Sequence, residues 1–197
     1  MKSKGFPILM FCLVSAMVFG QSDVSVWNSV TKVQDNNFMA TFPDGWKKVT
    51  QAEGSQADYK YELTGVGIPA IARENSPLYG FFTISHLQGN KFGKAQEQIV
   101  TEFTNFNDRL TEINYNYDSA SAIVKSGQTG KLLHTRYYRR TKVSNYSKYY
   151  LIVYSPKADQ TYVLALHFQY KDTSYDIERT AKMKEYALAV FSRFEFR

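Results

Sequence analysis

Phe38, Ala40 and Phe42 alternate with Met39 and Thr41, the two-residue period of a strand with one buried face. Phe42-Pro43-Asp44-Gly45 follows in the order of a type I turn, where proline presets the backbone of the second position and glycine suits the fourth. Trp46 leaves that turn, and an indole so placed is expected to fold back onto the sheet as an anchor for the first strand. Runs rich in aromatic and β-branched residues predict further strands over residues 59–63 and 79–87. Between them Gly65, Gly67, Pro69 and Pro77 break any regular period, which predicts a long loop or irregular hairpin and a natural place for a small-molecule or partner site.

The period then lengthens. Ile99, Phe103, Phe106 and Leu110 recur at steps of four, three and four, which predicts a core-covering helix over residues 94–110. Four runs of strand character follow, over residues 119–126, 130–143, 148–154 and 161–170, with breaks at 126–128, 144–147 and 155–160. Breaks this short cannot hold a parallel crossover, so the four are expected to form an antiparallel meander. Thr173-Ser174-Tyr175-Asp176 matches a capping box and predicts a last helix running to about residue 193, with Met183, Ala187, Val190 and Phe194 as its apolar stripe. Residues 21–36 are polar and read as a leader with one short strand near residues 24–27, and nothing divides residues 37–197, which are read as one domain.

The first twenty residues change the picture of where this domain works. Lys2 and Lys4 precede an apolar run from Ile8 to Phe19, the pattern of a secretory signal peptide over residues 1–20. The run is shorter than the ~20 residues of a membrane-spanning helix, so cleavage and a secreted or periplasmic location are expected, with no transmembrane helix after signal removal. Cys12 is the only cysteine and lies inside that run behind Leu9, Met10 and Phe11, which lack the small residues of a lipoprotein site. The mature chain would hold no disulfide and no thiolate metal site. Losing Lys2 and Lys4 lowers the formal charge from +6 to +4, too mild a balance for the basic footprint of a nucleic-acid binder. With 44% hydrophobic and 16% aromatic residues the chain is expected to fold and bury a core.

Catalytic signatures are sparse. His86, His134 and His167 each fall in a different strand run, and none belongs to a metal-binding pair, so no metal and no cofactor are expected. There is no Gly-x-Ser-x-Gly elbow. A secreted hydrolase would have to assemble serine, histidine and acid from unmarked positions. The most suggestive chemistry is LLHTRYYRRTKV: strand alternation puts His134, Arg136, Tyr138, Arg140 and Lys142 on one face and Leu133, Thr135, Tyr137, Arg139 and Thr141 on the other. Arg136, Tyr138 and Arg140 are the candidate ligand- or partner-binding residues, since arginine beside tyrosine suits an anionic group or a stacked ring. The plain alternative is a solvent-facing strand kept soluble by charge. Asn145-Tyr146-Ser147 also fits a glycosylation sequon.

An opening strand that ends in Phe42-Pro43-Asp44-Gly45-Trp46, a helix after the early strands, a meander, and a closing helix that runs into Phe191-Ser192-Arg193-Phe194-Glu195-Phe196 resemble the PsbP-like family. That family includes photosystem II extrinsic proteins, a yeast Ran-release factor and many exported bacterial proteins, and the resemblance covers residues 37–197. It implies an α+β fold: an α/β/α sandwich with a central antiparallel sheet of about six to seven strands and two main helices. It also implies a non-enzymatic binding or assembly role toward a protein or envelope component. Phe42, Pro43, Gly45, Trp46 and Phe194 to Phe196 carry over as fold-defining positions. Two other functions stay open, the secreted hydrolase and a carrier of small apolar or anionic ligands in a pocket between sheet and helix, lined by Arg136, Tyr138 and Arg140.

Overall fold

The computed structural model describes residues 30–34, 37–43, 46–49, 57–63, 78–104, 112–116, 121–139, 144–171 and 177–197. In chain order these form β1 (Val30–Gln34), β2 (Phe38–Pro43), β3 (Trp46–Val49), β4 (Tyr59–Leu63), β5 (Leu78–Gln88), α1 (Phe92–Thr104), β6 (Glu112–Asn116), β7 (Ser121–Ile123), β8 (Thr129–Arg139), β9 (Ser144–Ser155), β10 (Gln160–Tyr170), α2 (Ile177–Phe191) and β11 (Glu195–Phe196). Seven strands form a continuous sheet in the order β3-β4-β5-β10-β9-β8-β6, β7 adds to β8, and β1-β2-β11 make a separate small sheet. Every pairing is antiparallel. The expected meander is present as β7-β8-β9-β10.

One helix covers each face of the large sheet, and strand alternation shows it. Leu132, Leu151, Leu164 and Leu166 share a core with Met183, Tyr186, Ala187 and Val190 of α2. Their strand neighbours Leu133, Ile152 and Ala165 pack instead with Ala95 and Ile99 of α1. The α+β sandwich with an antiparallel sheet between two helices is therefore the fold of this chain.

Trp46 is the anchor the sequence calls for. It is 2% exposed, packs against Phe42 at 5.8 Å between ring centroids, and its indole N–H donates to the Tyr186 hydroxyl at 3.1 Å. It also opens β3, an edge strand of the large sheet, whereas β2 belongs to the small one. The chain thus changes sheets between them; Asp44 and Gly45 of the expected turn lie outside the described residues.

Several boundaries differ from expectation. Residues 144–147, expected as a break, begin β9: Ser144, Asn145 and Ser147 are buried opposite Arg139, Tyr138 and Arg136 of β8. Ladder pairing outweighs their turn preference, and it buries the Asn145 sequon. Strand β1 falls within the polar stretch read as a leader, as an edge strand pairing β2. Helix α1 starts at Phe92, two residues early; Phe106, Leu110, the capping box and the loop at 65–77 lie outside the described residues. Closing strand β11 replaces an expected helical tail. Its Phe196 N–H donates to Ser126 Oγ at 2.9 Å, and Glu195 pairs with Lys125 at 2.6 Å.

Candidate functional site

The α1 face of the sheet is incompletely filled. Across β5, β10, β9 and β8 the residues Phe81, His167, Lys148 and Thr135 stand side by side in one row. The next row runs Thr83, Ala165, Tyr150 and Leu133, with Lys60 of β4 opposite Thr83. Ala95 and Ile99 of α1 cover the second row. Over both rows opens a cavity of about 450 Å³ whose walls include Lys60, Phe81, Tyr137, Lys148, Tyr150 and His167.

His167 is the unusual member. It is 8% exposed, its ring stacks on Phe81 at 4.1 Å and 15°, and Tyr150 approaches edge-on at 6.1 Å. Nε2 lies 3.4 Å from Thr83 Oγ1, at the long limit of a hydrogen bond, and Nδ1 is buried with no hydrogen-bond partner among the described residues. Burial first, and then the positive charges of Lys148 and Lys60, hold this imidazole well below the usual histidine range. At neutral pH it is uncharged, carrying one N–H and one acceptor. Lys60 also places its ammonium 5.0 Å from the Phe81 ring centroid. The site can therefore offer positive charge, phenol hydroxyls and one unmet imidazole nitrogen against apolar walls.

The strip proposed from sequence lies elsewhere. Arg136 and Tyr138 are half-buried on the face that also carries Leu132 and His134, the α2 side, opposite Ser147 and Asn145 of β9. Arg140 is outside the described residues. The cavity opens on the other face, where Tyr137 lines it and its neighbours Arg136 and Tyr138 do not. Lys60, Lys148 and His167 escaped notice because their runs are separated by up to about a hundred residues and only strand order brings them together. One signal was present, the polar His167 in the otherwise apolar run VLALHF.

The other two histidines sit in different surroundings. His134 Nε2 is 2.7 Å from Ser147 Oγ and stacks on Tyr149 at 4.3 Å, with Ser147 fully buried. His86 Nδ1 is 2.6 Å from Asp58 Oδ2 in an exposed pair. From the register His86 lies four residues along and three strands across from His134, about 20 Å at ordinary sheet spacings. Ser147 thus meets one histidine and Asp58 another. Among the described residues no three His, Cys, Asp or Glu side chains converge as a metal site needs, and no helix is long and apolar enough to cross a membrane.

No family model matches the sequence, and no curated protein sequence matches it. Solved structures do match in three dimensions, and the fold they define is the α+β fold of Mog1. The Saccharomyces cerevisiae Ran-binding protein Mog1p superposes with a TM-score of 0.52 at 12% identity, covering 85% of this chain and 95% of its own. A point mutant of Mog1 gives a TM-score of 0.53 with the same identity and coverage. At such identity the likeness concerns the fold alone.

Proposed function

We propose that this chain is an exported, non-enzymatic domain of the PsbP-like family that binds a protein or envelope partner. The observation that carries the reading is the extent of the fold likeness: nearly the whole of a protein named for binding Ran superposes on this domain. Export rests on the signal-like pattern of residues 1–20. The partner is taken to belong to the compartment that signal addresses. A non-catalytic role agrees with the separation of the His134–Ser147 and His86–Asp58 pairs. Arg136, Tyr138 and Arg140 are the proposed partner contacts; Arg136 and Tyr138 lie near the end of β8 beside edge strand β6, where a rim arginine can steer association.

The test is affinity capture of envelope proteins with wild type, Arg136→Ala and Arg140→Ala. A partner retained by wild type and recovered several-fold less by both variants is expected. Equal recovery by all three would remove the strip from the interface. Ester hydrolysis that Ser147→Ala abolishes would overturn the non-enzymatic reading.

A further inference from the structure

We infer that the cavity on the α1 face binds a small organic carboxylate with an apolar body, its acidic group drawn to Lys148 and Lys60 and hydrogen-bonded by His167. This goes beyond the protein-binding reading and stands or falls without it. Three observations meet here. His167 is more than nine-tenths buried, lines the cavity, and leaves Nδ1 without a partner among the described residues. A buried polar atom left unmet costs roughly 1–3 kcal/mol, and folded proteins keep few of them without a use. The second observation is sign: the described side chains lining the cavity include two lysines and no aspartate or glutamate. Their field acts on the site's interior, since both lysines disfavour protonation of His167.

The third is the rest of the lining. Phe81, Ile99, Tyr150 and Ala165 give the cavity apolar walls that a bare inorganic anion would leave unused. A volume of about 450 Å³ lies within the roughly 300–1,000 Å³ of small-molecule pockets. The imidazole geometry fits an acceptor ligand. If the Thr83 hydroxyl donates to Nε2, the ring proton sits on Nδ1 and donates to a carboxylate oxygen. A cationic ligand would meet two like charges.

Fluorine NMR with trifluoromethylbenzoate, and with the matching benzamide as its neutral isostere, tests this. Saturable binding of the benzoate is expected, with the amide at least about tenfold weaker, the difference a charge-assisted hydrogen bond makes. Lys148→Gln and Lys60→Gln should each weaken the benzoate several-fold, Lys148→Arg should retain it, and inorganic phosphate should not displace it. Both lysines are partly exposed, so these variants are expected to fold, and thermal melting checks that they do. His167→Phe removes the hydrogen bond without changing charge; if it fails to fold, the lysine variants and the amide still decide. No saturable binding, an amide as tight as the acid, displacement by phosphate, or affinity untouched by either lysine variant would each overturn the site.

Discussion

Within one strand, β10, alternate residues live in two different interiors. Leu164, Leu166 and Phe168 face α2, each at most 1% exposed, in a core that joins both sheets. Rings there meet in edge-to-face and tilted contacts, as Phe42 does with Phe82 at 4.9 Å and with Tyr61 at 5.1 Å, and in stacks, as Phe38 does with Phe194 at 4.9 Å, geometries that aromatic pairs favour. Val163, Ala165, His167 and Gln169 face α1, whose cluster holds six buried residues among the described ones and borders the cavity. On the filled face burial accounts for Leu164, Leu166 and Phe168, although Ser147, Asn145 and Arg179 are buried on that side too. On the other face it does not account for His167, Lys148 or Thr135, and those are the residues that call for a second explanation.

The largest effect that could break this contrast is on the filled face. Trp46→Ala should destabilise the protein by ~3–5 kcal/mol, the usual cost of emptying a buried indole, with the loss of the bond to Tyr186 included. Urea unfolding would measure it. A cost below ~1 kcal/mol would mean that the indole is replaceable by water, and the α2 face would lose its claim to be the fully packed one. Gly130→Ala should cost less, ~1–3 kcal/mol of overpacking. A methyl there would meet Leu151 Cδ1 at 2.7 Å and the Ile152 carbonyl oxygen at 2.8 Å, and the carbonyl, fixed in the ladder, cannot step aside. A neutral result would show slack where the α2 face is described as having none.

The filled face is also the part that could be read in advance. Period two over Phe38 to Phe42, the tryptophan after the turn and the stripe Met183, Ala187, Val190 each state locally which side is buried, and strands β4, β5 and β10 end within one residue of their sequence-derived limits. Strand β6, Glu112–Asn116 (EINYN), was missed because it is short and polar and gains its place from pairing β8. The cavity was missed for a different reason. Alternation correctly split Leu133 to Tyr138 into two faces, but charge drew attention to Arg136 and Tyr138. Which face stays uncovered depends on where α1 lies, and no local pattern encodes that.

Thr135 gives a smaller test on the incompletely filled face. Its hydroxyl is buried without a hydrogen-bond partner among the described residues, opposite Lys148. Thr135→Val removes that unmet group at nearly constant shape and should stabilise the protein by ~1 kcal/mol, read as a rise in the urea midpoint at unchanged slope. Destabilisation instead would place the hydroxyl in a working network and enlarge the polar site beyond the cavity wall.

The smallest effect at neutral pH, where it vanishes, belongs to His167. Held well below its ordinary value of 6.5 by burial and then by Lys148 and Lys60, it stays neutral in the fold, while the unfolded chain takes up a proton as pH falls through 6.5. The unfolded state then binds more protons, so stability drops from pH 6.5 downward until the folded protein's own depressed value is reached, and is unaffected above 6.5. Comparison with His167→Gln isolates this contribution from the rest of the protein's pH dependence. The variant's stability should fall less steeply on acidification, with the two curves running parallel above pH 6.5. Parallel curves throughout would mean that His167 protonates freely in the fold and that the α1 face is as wet as an ordinary surface. Saturating wild type with trifluoromethylbenzoate should shrink its acid loss, because a carboxylate beside the imidazole favours the charged ring; an unchanged slope would separate the anion from His167 even if it binds nearby.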